Sequence, residues 1–140
     1  MNIAIVGATG NVGRKTLEVL EKKDLSVDKL YLVASSKSVG KKITFKSNEY
    51  EIHDLKNFDF SKVKIAFFAA GGKISEKFAE KAAKSCVVID NSSYYRMDPD
   101  VPLIVPQVNP EDMKNIKKNI LLLDQVGQNR VDLKFMLKII

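Results

Sequence analysis

The chain of 140 residues predicts an α/β fold with a doubly wound, mostly parallel sheet. Three observations carry this prediction. Short runs of consecutive apolar residues recur, as in strands buried on both faces of a sheet. Segments with helical apolar periodicity alternate with them. A glycine-rich turn, Gly7-Ala8-Thr9-Gly10-Asn11-Val12-Gly13, joins the first apolar run to the first helical segment.

Residues 2 to 6 contain Ile3-Ala4-Ile5-Val6, four apolar residues in succession that read as a buried parallel strand. The spacing of the glycines after it is GxxGxxG rather than GxGxxG, but the strand, tight turn and helix context is that of a dinucleotide fingerprint. Gly7 suits the turn off the strand, Gly10 a close approach of backbone to pyrophosphate, and Gly13 close helix–strand packing. Free N–H groups and the helix dipole then face the anion. The following helix is expected to present Val12, Thr16, Val19 and Leu20 on one face. Leu30 to Ala34 is the next strand and completes a βαβ unit of about 30 residues.

The end of this second strand separates two dinucleotides, because an acidic side chain there would bind the ribose 2′-hydroxyl of NAD. It reads Ala34-Ser35-Ser36-Lys37-Ser38, with no acid; Asp28 precedes the strand and belongs at the wrong end of the sheet. Hydroxyls and a lysine suit a 2′-phosphate, so NADP is the expected cofactor.

Ile43 to Leu55 alternates as a short hairpin or edge strands and contains His53, the chain's one histidine, expected as an edge residue. Lys64 to Ala70 reads as a third buried strand, and the small residues after it, ending in Gly71-Gly72, leave room for a ligand against the backbone. Ser75 is placed as the cap of a helix over residues 76 to 85. Cys86-Val87-Val88-Ile89 is the next strand, its cysteine reading as a small core residue rather than a nucleophile. The polar loop from Asp90 to Pro102 follows at the strand's carboxyl end, where Arg96 beside Asn91, Ser92 and Ser93 has the chemistry of phosphate or carboxylate recognition. Leu103 to Val105 is a short strand, Asn109-Pro110-Glu111-Asp112 a helix start, and Ile120 to Leu123 a strand; 131 to 140 reads as a helix or a ragged strand.

Composition narrows the function. The chain is 45% hydrophobic and 29% charged, ordinary globular values. One cysteine and one histidine argue against a disulfide framework and a metal site. No apolar run approaches the roughly 20 residues of a membrane span, and no leader pattern opens the chain, so the cytoplasm is expected. The net charge of +6 is spread over lysine-rich faces rather than gathered into an aromatic-studded stripe, so neither nucleic acid nor membrane is an expected partner. No tyrosine has a lysine four residues on, which argues against a short-chain reductase.

In order along the chain, the glycine turn, Ser36-Lys37-Ser38, Ala69-Ala70-Gly71-Gly72, the loop Asp90 to Asp100 and Val105-Pro106-Gln107-Val108-Asn109 resemble the N-terminal half of aspartate-semialdehyde dehydrogenase. The likeness covers residues 1 to about 119. The Asn91 to Pro102 loop is its most specific part; the related N-acetyl-glutamyl-phosphate reductase fits it less well. The resemblance implies a Rossmann-like domain over 1–119 that binds NADP. Gly7, Thr9, Gly10, Asn11, Val12 and Gly13 would lie at the pyrophosphate, Ser35, Ser36, Lys37 and Ser38 at the 2′-phosphate, Gly71 and Gly72 in a turn beside the cofactor, and Arg96 at the substrate's phosphate. It also implies a homodimer and NADPH-dependent reductive dephosphorylation of aspartyl phosphate, a step of amino-acid and lysine biosynthesis. In that reaction a cysteine attacks the acyl phosphate, hydride reduces the thioester and a histidine moves the protons.

The departures are as informative. Where the family continues into an Asn-Pro-Asn-Cys-Ser-Thr motif, this chain reads Asn119-Ile-Leu-Leu-Leu-Asp-Gln-Val-Gly-Gln128, and Gln107 stands at an expected glutamate. Residues 120–140 are therefore expected to be a divergent segment, from truncation or a changed reading frame, with the substrate and dimerisation domain absent and no catalytic residue assigned. Two functions follow: the cofactor half of the dehydrogenase, inactive alone, or a stand-alone NADP(H)-binding sensor or partner module.

Overall fold

The computed structural model describes residues 1–22, 26–105 and 108–123. Gln107 and the expected segment 131–140 lie outside the described residues. Among the described residues eight strands form one sheet in the order β3-β4-β2-β1-β5-β6-β8-β7. They are β1 (Asn2–Val6), β2 (Lys29–Ala34), β3 (Lys42–Phe45), β4 (Asn48–Asp54), β5 (Ile65–Phe68), β6 (Val87–Asp90), β7 (Leu103–Ile104) and β8 (Ile120–Leu123). Every pairing is parallel except the β3–β4 hairpin. The helices are α1 (Asn11–Lys22) and α2 (Gly72–Ala83).

The apolar runs work as the two-sided burial of a parallel sheet requires. Ile3 and Ile5 face one side with Leu17 and Leu20 of α1; Ala4 and Val6 face the other with Ala79 and Ala82 of α2. Alternate residues of a single strand thus enter two cores, and the helices cover opposite faces. Each fully buried Ile or Leu contributes about 1.5–3 kcal/mol of transfer free energy, which makes the central strands the stable part of the fold. β8 lies inside the sheet between β6 and β7, with Ile120 and Leu121 fully buried. Asn119 enters it with φ 54°, a left-handed conformation that Asn tolerates, and its amide donates to the Ala83 carbonyl at 3.2 Å.

Three local expectations are corrected. Ser75 does not cap a helix at residue 76, because Gly71 takes φ 84° and starts α2 a turn earlier. Ser75 therefore sits inside α2, fully buried. On α1, Leu17 and Gly13 join Thr16 and Leu20 on the buried face, while Val12 is 43% exposed. The helix start at Asn109 opens a six-residue 3-10 helix, Pro110–Asn115, and Asn109 does not cap it. Its side chain instead accepts from Val105 N at 2.8 Å and donates to the Leu103 carbonyl at 2.9 Å and Asp112 at 2.7 Å, which holds the strand that precedes it.

Candidate functional site

The order of the strands sets where a ligand can lie. From β1 the chain continues outward to β2 on one side and to β5 on the other, so the loops after these strands diverge and leave a crevice at their carboxyl ends. The crevice, of about 360 Å³, is lined by Gly7, Thr9 and Gly10 after β1, Ala34 and Ser35 after β2, Leu55 after β4, and Ala69, Ala70 and Ile74 after β5.

The glycine turn is built as its sequence requires, with a division of labour among the glycines. Gly7 has φ 88°, and a Cβ there would lie 2.7 Å from the Ala69 carbonyl oxygen. A Cβ on Gly13 would lie 2.2 Å from the Gly7 carbonyl oxygen, so the first turn of α1 packs against the loop with no room for a methyl group. Gly10 differs: a Cβ would meet only the Gly7 oxygen, at 3.4 Å. The turn is closed by Gly7 N donating to the Val33 carbonyl at 2.8 Å and Gly10 N to the Gly7 carbonyl at 3.0 Å. The amides of Asn11, Val12 and Gly13 open α1 with no helical acceptor, and its first turn carries no acid, so the positive end of the helix is uncompensated. Across the crevice α2 starts at Gly72, also without an acid in its first turn or a side-chain cap.

The Ser35–Ser38 loop flanks the β2 end of the crevice. Ser36–Ser38 form one 3-10 turn, closed by Ser38 N donating to the Ser35 carbonyl at 2.9 Å, with Lys37 exposed. The structure adds a carboxylate here. Asp54 ends β4 as the register partner of Ala34 and accepts from Ser36 Oγ at 3.2 Å. Sequence order hides it, because β4 pairs in parallel with β2 only after the β3 excursion. The alternating pattern of residues 43–55 is the one signal that could have brought it there.

Arg96 is exposed on the loop after β6 and does not line the crevice; its N–H donates to the Ser93 carbonyl at 3.3 Å. The loop is anchored by Asp90, a fully buried carboxylate that accepts from Ser75 Oγ at 2.8 Å, Ser92 N at 2.9 Å and Ser92 Oγ at 2.7 Å. Asp90 thus joins α2, β6 and the loop, a role its sequence position alone does not display. Gly72 approaches the same loop, where its Cβ would stand 3.7 Å from that of Tyr94. Lys118 pairs with Asp98 at 2.9 Å, and this holds the Asp98 carboxyl below its ordinary range.

Neither of the two remaining candidates for chemistry lines the crevice. Cys86 is buried just before β6, at the opposite end of the sheet from the crevice, and burial pushes its thiol up to about 12. A thiol held neutral in this way is a poor nucleophile. His53 is exposed on β4 and packs against the Tyr31 and Phe58 rings at 5.7 and 5.9 Å.

A glycine turn feeding a helix N-terminus at the switch point of a doubly wound sheet defines a Rossmann-like nucleotide-binding domain. Residues 2–116 match the family model described as semialdehyde dehydrogenase, NAD binding domain, and the chain belongs to that family. It is 57% identical over 118 residues to the aspartate-semialdehyde dehydrogenase of Aquifex aeolicus and 47% identical over 122 residues to that of Rickettsia bellii, matches covering 83% and 86% of this chain. It spans about a third of these relatives, 35% and 36% of their lengths. Among solved structures it resembles aspartate semialdehyde dehydrogenase II of Vibrio cholerae complexed with ASA (TM-score 0.85, 46% identity, 88% of this chain and 41% of that one). It also resembles the Candida albicans enzyme with NADP (TM-score 0.70, 27% identity, 88% and 42%). Among the described residues no helix is long and apolar enough to cross a membrane.

Proposed function

We propose that this chain is the NADP(H)-binding half of an aspartate-semialdehyde dehydrogenase, acting in the cytoplasm and binding cofactor without turning substrate over by itself. One observation carries the binding reading. Gly10 is the glycine of the turn that the protein's own packing does not demand, and it lines the crevice directly before the free amides of α1. Space kept open there is space for a ligand, and the uncompensated amides make that ligand an anion.

In this reading the amides of Asn11, Val12 and Gly13 hold the pyrophosphate, with Thr9 and Gly10 beside it. Ser35, Ser36, Lys37 and Ser38 meet the adenosine ribose and its 2′-phosphate. Gly71 and Gly72 turn the chain clear of the nicotinamide side. The bound cofactor supplies hydride chemistry. Arg96 takes the phosphate of a small acyl-phosphate substrate, on the loop that Asp90 and Ser75 fix against α2.

Chemistry beyond binding needs an activated nucleophile and a base, and the chain's one cysteine is a buried thiol at the wrong end of the sheet. The location of Cys86 also favours the second reading, a stand-alone NADP(H)-binding module. The full reaction, with its semialdehyde substrate and homodimer, belongs to an assembly that supplies a nucleophile from elsewhere. A coupled assay with phosphate, NADP and aspartate semialdehyde tests this division. Negligible turnover together with NADPH-induced shifts of the Asn11, Val12 and Gly13 amide resonances is the expected result. Turnover at the rate of an ordinary dehydrogenase would overturn it.

A further inference from the structure

Given the nicotinamide-dinucleotide crevice proposed above, we infer that Asp54 sets the discrimination between 2′-phosphorylated and 2′-hydroxyl cofactors, by opposing the phosphate that Lys37 attracts. The neighbours of the pair place it. Ser35 and Leu55 line the crevice, and Ser36 and Asp54 are the adjacent residues, so the Ser36–Asp54 contact stands at its rim. The rim is on the β2 side of the switch point, where the adenosine half of a dinucleotide lies in a doubly wound sheet.

The chemistry at this rim is divided. Lys37 is exposed and forms no ion pair with a described carboxylate, so its charge is available to an anion. Asp54 accepts from Ser36 Oγ at 3.3 and 3.2 Å through its two oxygens, from Lys56 N at 3.1 Å and from Asn57 Nδ2 at 3.5 Å. The Ser36 hydroxyl therefore already donates to a carboxylate, and a phosphate oxygen arriving at Ser36 competes with Asp54 for that hydrogen bond. A phosphomonoester carries about −1.5 to −2 charges at neutral pH, so its approach to Asp54 is a like-charge contact. A ribose 2′-hydroxyl meets no such penalty, and as a donor it finds acceptors in the Asp54 carboxylate and Ser36 Oγ. One side chain thus disfavours the phosphate and accommodates the hydroxyl. The position at the end of β2 that holds the acid in NAD-binding sheets is Ala34 here, and Asp54 brings a carboxylate beside it from the next strand.

The probes are adenosine 2′,5′-bisphosphate and AMP, which isolate the 2′ group from the nicotinamide half, titrated calorimetrically into the 140-residue chain and its Asp54→Asn variant. The amide keeps an acceptor for Ser36 and Lys56 while removing the charge. Asp54→Asn should tighten the bisphosphate roughly tenfold and change AMP by less than about twofold, the asymmetry that removal of one nearby charge produces. Weakening of both ligands, or an unchanged ratio between them, would assign Asp54 to loop anchoring and overturn the inference while leaving the cofactor site in place. Binding of neither ligand nor NADPH to the parent chain would instead remove the site, and the inference with it. Asp54→Ser serves as a second variant, with the same expected ratio, if the amide lowers the unfolding temperature.

Discussion

The Gly7 carbonyl oxygen stands 2.2 Å from where a Cβ on Gly13 would be, so the strand-to-helix turn is locked by contact between its first and last glycines. Gly13→Ala must push α1 away from the loop. Overpacking of this kind costs about 1–3 kcal/mol, and the displaced atom here is backbone, so the upper end of that range is expected. Thermal unfolding of the variant measures it.

Gly10→Ala should behave differently. The added methyl meets the Gly7 oxygen at 3.4 Å and nothing else within 4 Å, so unfolding should change by about 1 kcal/mol or less, the scale of an altered helix start. NADPH affinity should fall roughly tenfold or more, because the methyl enters the space that the proposed site gives to the pyrophosphate. Equal losses of stability and affinity in the two variants would contradict this division.

Asp90 offers a prediction about the Arg96 loop. Asp90→Ala leaves Ser75 Oγ and both Ser92 donors without their acceptor inside the fold. The expected loss is about 3 kcal/mol, since hydrogen bonds to charged groups contribute more than neutral ones and buried donors are left unmade. Hydrogen exchange at Ser92 should quicken with it, whereas exchange in β1 should follow global stability alone.

Alkaline pH should destabilise the fold. Burial pushes the Cys86 thiol and the Tyr95 phenol each up to about 12, from ordinary values of 9.0 and 10.0. The folded protein binds these protons more tightly than the unfolded chain does. Their contribution is fully present below the ordinary values and is lost as pH rises through the folded ones. The unfolding temperature should therefore fall from pH 9 toward pH 12, and Cys86→Ala should shallow the slope. Alkylation of Cys86 at pH 8 should be slow while the fold is intact.

Much of this fold is visible in the residues themselves. Ile3 to Val6, Leu30 to Ala34 and Ile120 to Leu123 read as strands because short runs of apolar residues suit a sheet covered on both faces, and they are strands. The crevice follows from where the glycines fall relative to those strands. The positions that sequence leaves hidden share one cause, which is pairing across distance. Ser75 looks like a helix cap until Gly71 starts α2 early and turns the hydroxyl toward Asp90, fifteen residues on. Asp54 is one more residue of a hairpin or edge strand until β4 docks in parallel on β2 and brings it to Ser36. Local periodicity reports faces, but neither the partner strand nor its register.

In the function proposed, the crevice after β1 takes a nicotinamide dinucleotide. Titration of NADPH into the purified protein, followed by the fluorescence of the reduced nicotinamide, tests it most directly. Saturable binding well below millimolar concentration, abolished or strongly weakened in Gly10→Ala, is the predicted result. No binding at millimolar NADPH by a chain whose circular dichroism shows the α/β fold intact would contradict it.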